Sequence, residues 1–193
     1  MSDVSVRRAR LGDVPAMTNV HHRCWLSSPG MPADAQPPDA SETERAWERA
    51  ILAPPNSRYQ LWVALDGTEP VGLAALAPSS DPDLDPQVTS ELIVFGVDPA
   101  HRRNGHGSRL LTATAESLTS SNIGVATLWL NSSDDESRKF LEGAGWGADG
   151  AHRRLARDEQ DPAELQLRQI RMGTDLSVDT TSAADTAQMP DET

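Results

Sequence analysis

The chain has 193 residues, of which 37% are hydrophobic, below the ~45–50% usual for globular sequences on a scale that also counts glycine. That length suits one domain with some chain to spare. A net charge of −12 argues against a general binder of nucleic acid or anionic membrane, because phosphate binding relies on clustered positive charge. No run of 18 apolar residues is available for a membrane span, and Met1-Ser2-Asp3-Val4 lacks the basic-then-apolar pattern of a secretory signal. Cys24 is the single cysteine, which excludes an internal disulfide and any multi-cysteine metal site. The expectation is a soluble cytoplasmic protein.

In chain order, Val4 to Arg10 reads as a short strand. Gly12-Asp13 starts a helix that tolerates Pro15 in its first turn and carries the stripe Val14, Met17, Val20, His21, Cys24. Adjacent His21 and His22 point in different directions on a helix and are not a metal pair. Four prolines between Ser27 and Ala40 make a loop. Ser41 and Glu44 have the spacing of a capping box, opening a helix with Ala46, Trp47, Ala50 and Ile51 inward and Pro54-Pro55 beyond its end. Tyr59 to Leu65 and Val71 to Ala77 read as a hairpin across Asp66-Gly67-Thr68-Glu69. After a Pro- and Asp-rich loop, Val88 to Val97 is a longer strand whose run Leu92-Ile93-Val94-Phe95 predicts burial on both faces.

Gly107 to Ser120 is helical, Val125 to Asn131 alternates as a strand, and Asp134 to Glu142 is a short helix with Asp134 or Ser133 as its cap. Ala151 to Leu155 and Glu164 to Met172 close the fold as two strands. A parity change from Leu165/Leu167 to Ile170/Met172 predicts a bulge near Arg168-Gln169. The order β-α-α-β-β-β-α-β-α-β-β describes an α+β or mixed α/β domain over residues 1–173. Residues 174–193 hold five acidic and no basic residues, and their Ser/Thr/Ala-rich composition predicts a disordered tail.

One segment carries the chemistry. After the strand that ends in Val97-Asp98-Pro99 comes Ala100-His101-Arg102-Arg103-Asn104-Gly105-His106-Gly107-Ser108, and a helix begins at once. Gly105 and Gly107 allow close backbone approach. Consecutive amides from Asn104 to Ser108 converge at a helix N-terminus, where the dipole favours an anion. With Arg102 and Arg103 beside them, the expected ligand carries a phosphate or pyrophosphate. A P-loop is excluded by Ser108-Arg109 at too short a spacing, and a dinucleotide fingerprint by the missing third glycine.

Arg102-x-x-Gly105-x-Gly107 resembles the acyl-CoA motif of the GNAT N-acetyltransferase superfamily. Phe140-Leu141-Glu142-Gly143-Ala144-Gly145-Trp146 is similar to that family's Phe-Tyr-x-x-x-Gly-Phe/Trp. The resemblance covers residues 4–172. It implies the GNAT fold, a central mixed, splayed sheet flanked by helices, and an enzyme that uses acetyl-CoA as co-substrate without a metal. Cofactor contacts are then expected from Phe95, Val97, Arg102, Arg103, Asn104, Gly105, His106, Gly107, Ser108, Asp134 and Phe140.

Glu91 lies six residues before Val97, where several relatives carry a glutamate base. A base is needed because an alkyl ammonium with pKa near ~10 must lose a proton before it attacks. A main-chain amide near Val97 would steady the oxyanion. Leu141 stands where relatives carry a tyrosine acid, leaving Ser137 as the hydroxyl donor. Analogy nominates Trp25, Pro29, Met31, Trp47, Trp62 and the loop Asp81–Asp85 for the acceptor pocket, an aromatic and acidic mouth suited to a cationic amine. Asp81, Asp83 and Asp85 are not a calcium loop, because no glycine follows and Leu92 stands at the twelfth position. Cys24 is expected as a packed thiol rather than an acyl carrier.

The leading expectation is acetyl transfer to a small-molecule amine or a peptide amino group, by a monomer or homodimer. The alternatives are a non-catalytic acyl-CoA sensor and an interaction protein, and the interaction protein leaves the arginine-glycine loop unexplained.

Overall fold

A computed structural model describes residues 4–31, 36–155 and 167–177. The expected tail from 178 onward and the strand start at 164–166 lie outside the described residues. Among the described residues seven strands and four α-helices follow in the expected order: β1 Val4–Arg8, α1 Val14–Leu26, α2 Ala40–Leu52, β2 Gln60–Asp66, β3 Glu69–Pro78, β4 Thr89–Val97, α3 His106–Ser120, β5 Val125–Asn131, α4 Asp135–Gly143, β6 Gly147–Leu155 and β7 Leu167–Asp175. The strands form one mixed sheet, ordered β1-β2-β3-β4-β5-β7-β6. β7 runs past the expected boundary, since Thr174 and Asp175 pair with Ala126 and Val125.

Local chemistry explains the helix starts. Asp13 accepts from the Arg10 amide at 2.7 Å and grips the Arg7 guanidinium at 2.6 and 2.8 Å, closing a 3-10 turn that leads into α1. α2 is capped by Asp39, whose Oδ1 accepts from the Glu42 amide at 3.0 Å. Ser41, the expected cap, instead donates its hydroxyl to Asp39. The inward stripe of α2 begins with Thr43 and Trp47, and Ala46 is exposed.

Two apolar layers hold the sheet. On one face, Val14, Met17 and Val20 of α1 and Trp47 of α2 pack on Val63, Leu65, Leu73 and Ala75. On the other, Leu110 of α3 meets Ala64 and Ala74. Leu92, Leu111, Leu118, Leu128, Leu130, Leu141 and Met172 form the larger cluster. Each such side chain contributes about 1.5–3 kcal/mol when fully buried.

The feature that matters for function is where the sheet comes apart. β1 to β4 form a continuous antiparallel meander. A register shift sets Val94 opposite Ala75 but Leu92 opposite Leu76, so Ile93 is an extra residue, and a bulge of this kind bends the strand. β4 and β5 pair in parallel only at Thr89–Val125, Ser90–Ala126 and Glu91–Thr127. Beyond Glu91 they separate. The expected burial of Leu92 to Phe95 on both faces fails for this reason. Ile93 is 54% exposed and Val94 to Val97 are half-buried, because that edge of β4 has no neighbour. The bulge expected at Arg168-Gln169 of β7 is not found there; the register shift of that pair lies in β6, between Ala148 and His152.

Candidate active site

The gap between β4 and β5 opens into a cleft of ≈ 1370 Å³. Its walls come from β4 (Leu92 to Val97), the loop and first turn of α3, β5 (Leu128 to Asn131), α4 and the end of α1. A backbone edge without a strand partner leaves N–H and C=O groups open to a ligand.

At one end the backbone makes the site. Gly105 has φ +82°, a left-handed conformation that favours glycine. It starts α3 so that the amides of His106, Gly107 and Ser108 have no carbonyl a turn earlier to bond. Gly107 is needed for space, since a Cβ there would lie 3.1 Å from Phe140 Cζ. Phe140 in turn stacks on Phe95, with centroids 6.2 Å apart and planes 14° apart. The two motif glycines thus do different jobs.

The charges at this end are only partly free. Arg103, at φ 66°, spans to α4 and pairs with Glu136 at 2.7 Å, both side chains more than half exposed. Arg102 donates to Ser27 Oγ at 2.9 Å. Lys139, one residue before Phe140, also lines the cleft.

Midway, Ser137 and Leu141 face the cleft from α4. Asp134 caps that helix, accepting from the Ser137 amide at 2.9 Å. Leu141 is buried among the core leucines, so no hydroxyl stands at its position. Cys24 lines the cleft, and burial pushes its thiol up to about 11. It therefore stays protonated near neutrality and is unsuited to carry an acyl group.

The other end is built from side chains. Glu91, 6% exposed, sits on the last paired position before the strands part. Burial pushes its carboxyl above the ordinary 4.5, while Arg153 and the Ser80 amide favour its charged form and Asp81 opposes it. From the α1 side come His21, Trp25, Pro29 and Met31. Burial keeps the His21 imidazole below its ordinary 6.5, with His22 adding to the effect. Across the sheet runs a row of polar contacts. Arg153 Nε donates to Gln169 Oε1 at 2.8 Å, Gln169 Nε2 to Asn131 Oδ1 at 3.0 Å, and Asn131 Nδ2 to Ser28 Oγ at 2.9 Å. Arg171, 8% exposed, holds Asp81 at 2.7 Å and Asp149 at 2.6 Å. It staples the acidic loop onto the sheet.

The sequence from residue 15 to 146 matches the model of the acetyltransferase (GNAT) family. The chain belongs to the GNAT acetyltransferase family. It is thereby an acyltransferase, and its mixed, splayed sheet is the GNAT fold. Among solved structures it is similar to the ribosomal-protein-S18-alanine N-acetyltransferase of Escherichia coli, at 16% identity and TM-score 0.64 over 96% of this chain and 99% of that one. An N-acetyltransferase of Staphylococcus aureus Mu50 superposes with TM-score 0.72 at 16% identity, covering 91% and 99%. The PaiA N-acetyltransferase of Thermoplasma acidophilum, in complex with coenzyme A, gives 0.64 at 14% identity, covering 90% and 99%. Among curated proteins none matches significantly.

Within this GNAT frame most nominated residues converge. Phe95, Val97, Arg102, Arg103, Gly105, Gly107, Ser108, Asp134, Ser137, Phe140, Trp25, Pro29 and Met31 all line the one cleft. Four do not. Trp47 is a core residue packed on His21 at 5.5 Å between ring centroids. Trp62 packs toward α3 on the opposite face, under the Arg8 guanidinium at 4.4 Å. Asn104 and His106 are outside the lining; the His106 ring is buried at 1% exposure, so only its main chain can serve an anion, whereas Asn104 is exposed. Glu91 stands beside the cleft rather than in its lining. Sequence reasoning passed over Trp129, Asn131, Gln169 and Lys139. The alternation of β5 carried a signal for the first two, because with Leu128 and Leu130 in the core, Trp129 and Asn131 must face the other way.

Proposed function

We propose that the protein transfers the acetyl group of acetyl-CoA to a primary amine by direct attack in a ternary complex. The observation that carries this reading is the short parallel pairing of β4 and β5. It ends at Glu91–Thr127 and leaves an unpaired strand edge facing a cleft. An extended pantetheine arm is the kind of ligand that completes such an edge with its amides. The amides that open α3, with Arg102, Arg103 and Lys139 around them, suit a pyrophosphate.

In this reading Glu91 takes the proton of the acceptor ammonium. Its buried position calls for a water between carboxylate and amine. The amine attacks the thioester carbon, an N–H of the open β4 edge near Val97 receives the developing oxyanion, and such pre-aimed donors are worth about 3 kcal/mol. The C–S bond then breaks. A thiol of pKa ~8.5 leaves tolerably as thiolate near neutral pH, and Ser137, which lines the cleft, is the hydroxyl this reading assigns to hydrogen-bond it while solvent supplies the proton. The buried Leu141 offers no such donor.

The test is thermal stabilisation by acetyl-CoA, followed by thiol release across a panel of primary amines. Saturable stabilisation with amine-dependent thiol release supports the proposal. No stabilisation at millimolar acetyl-CoA overturns it. If Glu91→Gln turns over a good acceptor at the wild-type rate, the base is elsewhere.

A further inference from the structure

Beside the cleft lies a second pocket of ≈ 490 Å³ between the acidic loop and β6, lined by Asp81, Asp83, Gly150 and Arg153 among others. Trp129 is the one described residue that lines both spaces. The Arg153 guanidinium lies over the Trp129 ring, 4.4 Å from its centroid. Among the described residues only its Nε edge is used, by Gln169. Among the described residues no carboxylate oxygen lies within 4.0 Å of it. Two acids of this region, Asp81 and Asp149, are both held by Arg171, while Asp83 lines the pocket as well. The mouth read from sequence as acidic thus contains a cation that makes no ion pair among the described residues, with Glu91 and Asp81 near enough to act on it through space.

A guanidinium stacked on an aromatic ring keeps its in-plane donors open, and its fork matches a carboxylate. Glu91 is close enough to Arg153 for each charge to favour the other. An anion fit to receive a proton and a cation fit to grip a carboxylate therefore stand on the same face, with Trp129 between the two pockets.

Resting on the acetyl-transfer reading above, we infer that the acceptor is an amino-acid-like zwitterion, its carboxylate held by Arg153 over Trp129 and its amine presented toward Glu91. The preference is for a free carboxylate beside the amine. A simple alkyl amine or an amidated amino acid leaves the Arg153 fork without its partner.

The test uses the full chain with acetyl-CoA, and as acceptors the standard amino acids, their carboxamides and simple alkyl amines. For the best acceptor, kcat/KM of the acid exceeds that of its carboxamide by about 30-fold, mostly in KM, the scale of a charge-assisted hydrogen-bonded pair. In Arg153→Gln that gap closes to within about 3-fold, and Arg153→Lys falls between. Stabilisation by acetyl-CoA stays as in the wild type. Equal kcat/KM for acid and carboxamide in the wild type overturns the inference. So does no turnover of any amino acid, or a gap that survives Arg153→Gln. The wild-type comparison decides even if a variant fails to fold. Turnover of alkyl amines with no carboxylate preference sinks this inference alone, whereas no response to acetyl-CoA sinks the acetyl-transfer reading with it.

Discussion

The two ends of the cleft are made of different material. The end at α3 is main chain: a left-handed glycine, a second glycine under Phe140, and helix amides aimed at one point. The end at Glu91 is side chain: a buried carboxylate, a guanidinium on an indole, and an arginine stapling a loop from a distant part of the chain. Backbone recognition suits a ligand that never changes, because it tolerates drift in all but a few glycines. A surface assembled from side chains can be re-cut for another acceptor without disturbing the cofactor end. The contrast predicts that damage at one end leaves the other working.

The largest effect is expected from Glu91→Gln, which lowers kcat about 100-fold or more while the KM for acetyl-CoA stays within about 2-fold. Steady-state kinetics in both substrates checks it. Next, Arg171→Met leaves the half-buried Asp81 without its partner and costs about 1–3 kcal/mol of stability by urea denaturation. It raises the acceptor KM and spares acetyl-CoA affinity in the folded fraction. At the opposite end, Gly105→Val forces a β-branched residue to φ +82°, a local cost of ~1–2 kcal/mol. Isothermal titration should show acetyl-CoA binding weakened about tenfold, with the acceptor KM unmoved.

Titration separates the ends further. Burial raises the Glu91 pKa above 4.5, so its ionisation costs stability as pH rises through the folded value. Glu91→Gln should therefore melt higher than the wild type at pH 7, and the difference should vanish as pH falls below 4.5. Asp98 behaves in the opposite sense. Burial pushes its carboxyl up, but Arg23 and the Ala100 amide outweigh this and hold it below 3.8. Its contribution is complete above 3.8 and is lost as pH falls through the folded value. The smallest effect is expected from Arg103→Ala. Its pair with Glu136 is exposed, so stability changes by under ~0.5 kcal/mol, and acetyl-CoA binding weakens only a few-fold, less so in high salt.

The same contrast governs what could be read from sequence. Gly105, Gly107 and Phe140 fall in two short segments, and local spacing revealed the backbone-built end together with the order of all eleven elements. The acceptor end draws on Ser28, Glu91, Asn131, Arg153, Gln169 and Arg171, which meet only because β7 inserts between β5 and β6. Spacing carries no trace of that insertion. Analogy nominated Trp47 and Trp62 for the pocket, yet both lie outside the cleft lining, since a tryptophan serves a core as well as a pocket. The acidity of Asp81 misled for a related reason, its partner Arg171 lying 90 residues away in sequence.

The most direct test of the splayed cleft is hydrogen exchange of the full chain with and without saturating acetyl-CoA. Amides from Leu92 to Val97 and from Gly105 to Ser108 should exchange about tenfold or more slowly when the ligand is bound, while β1 and β2 stay unchanged. Unchanged exchange in both segments under saturation, or protection confined to another part of the sheet, would contradict the assignment of the β4–β5 gap as the acetyl-CoA site.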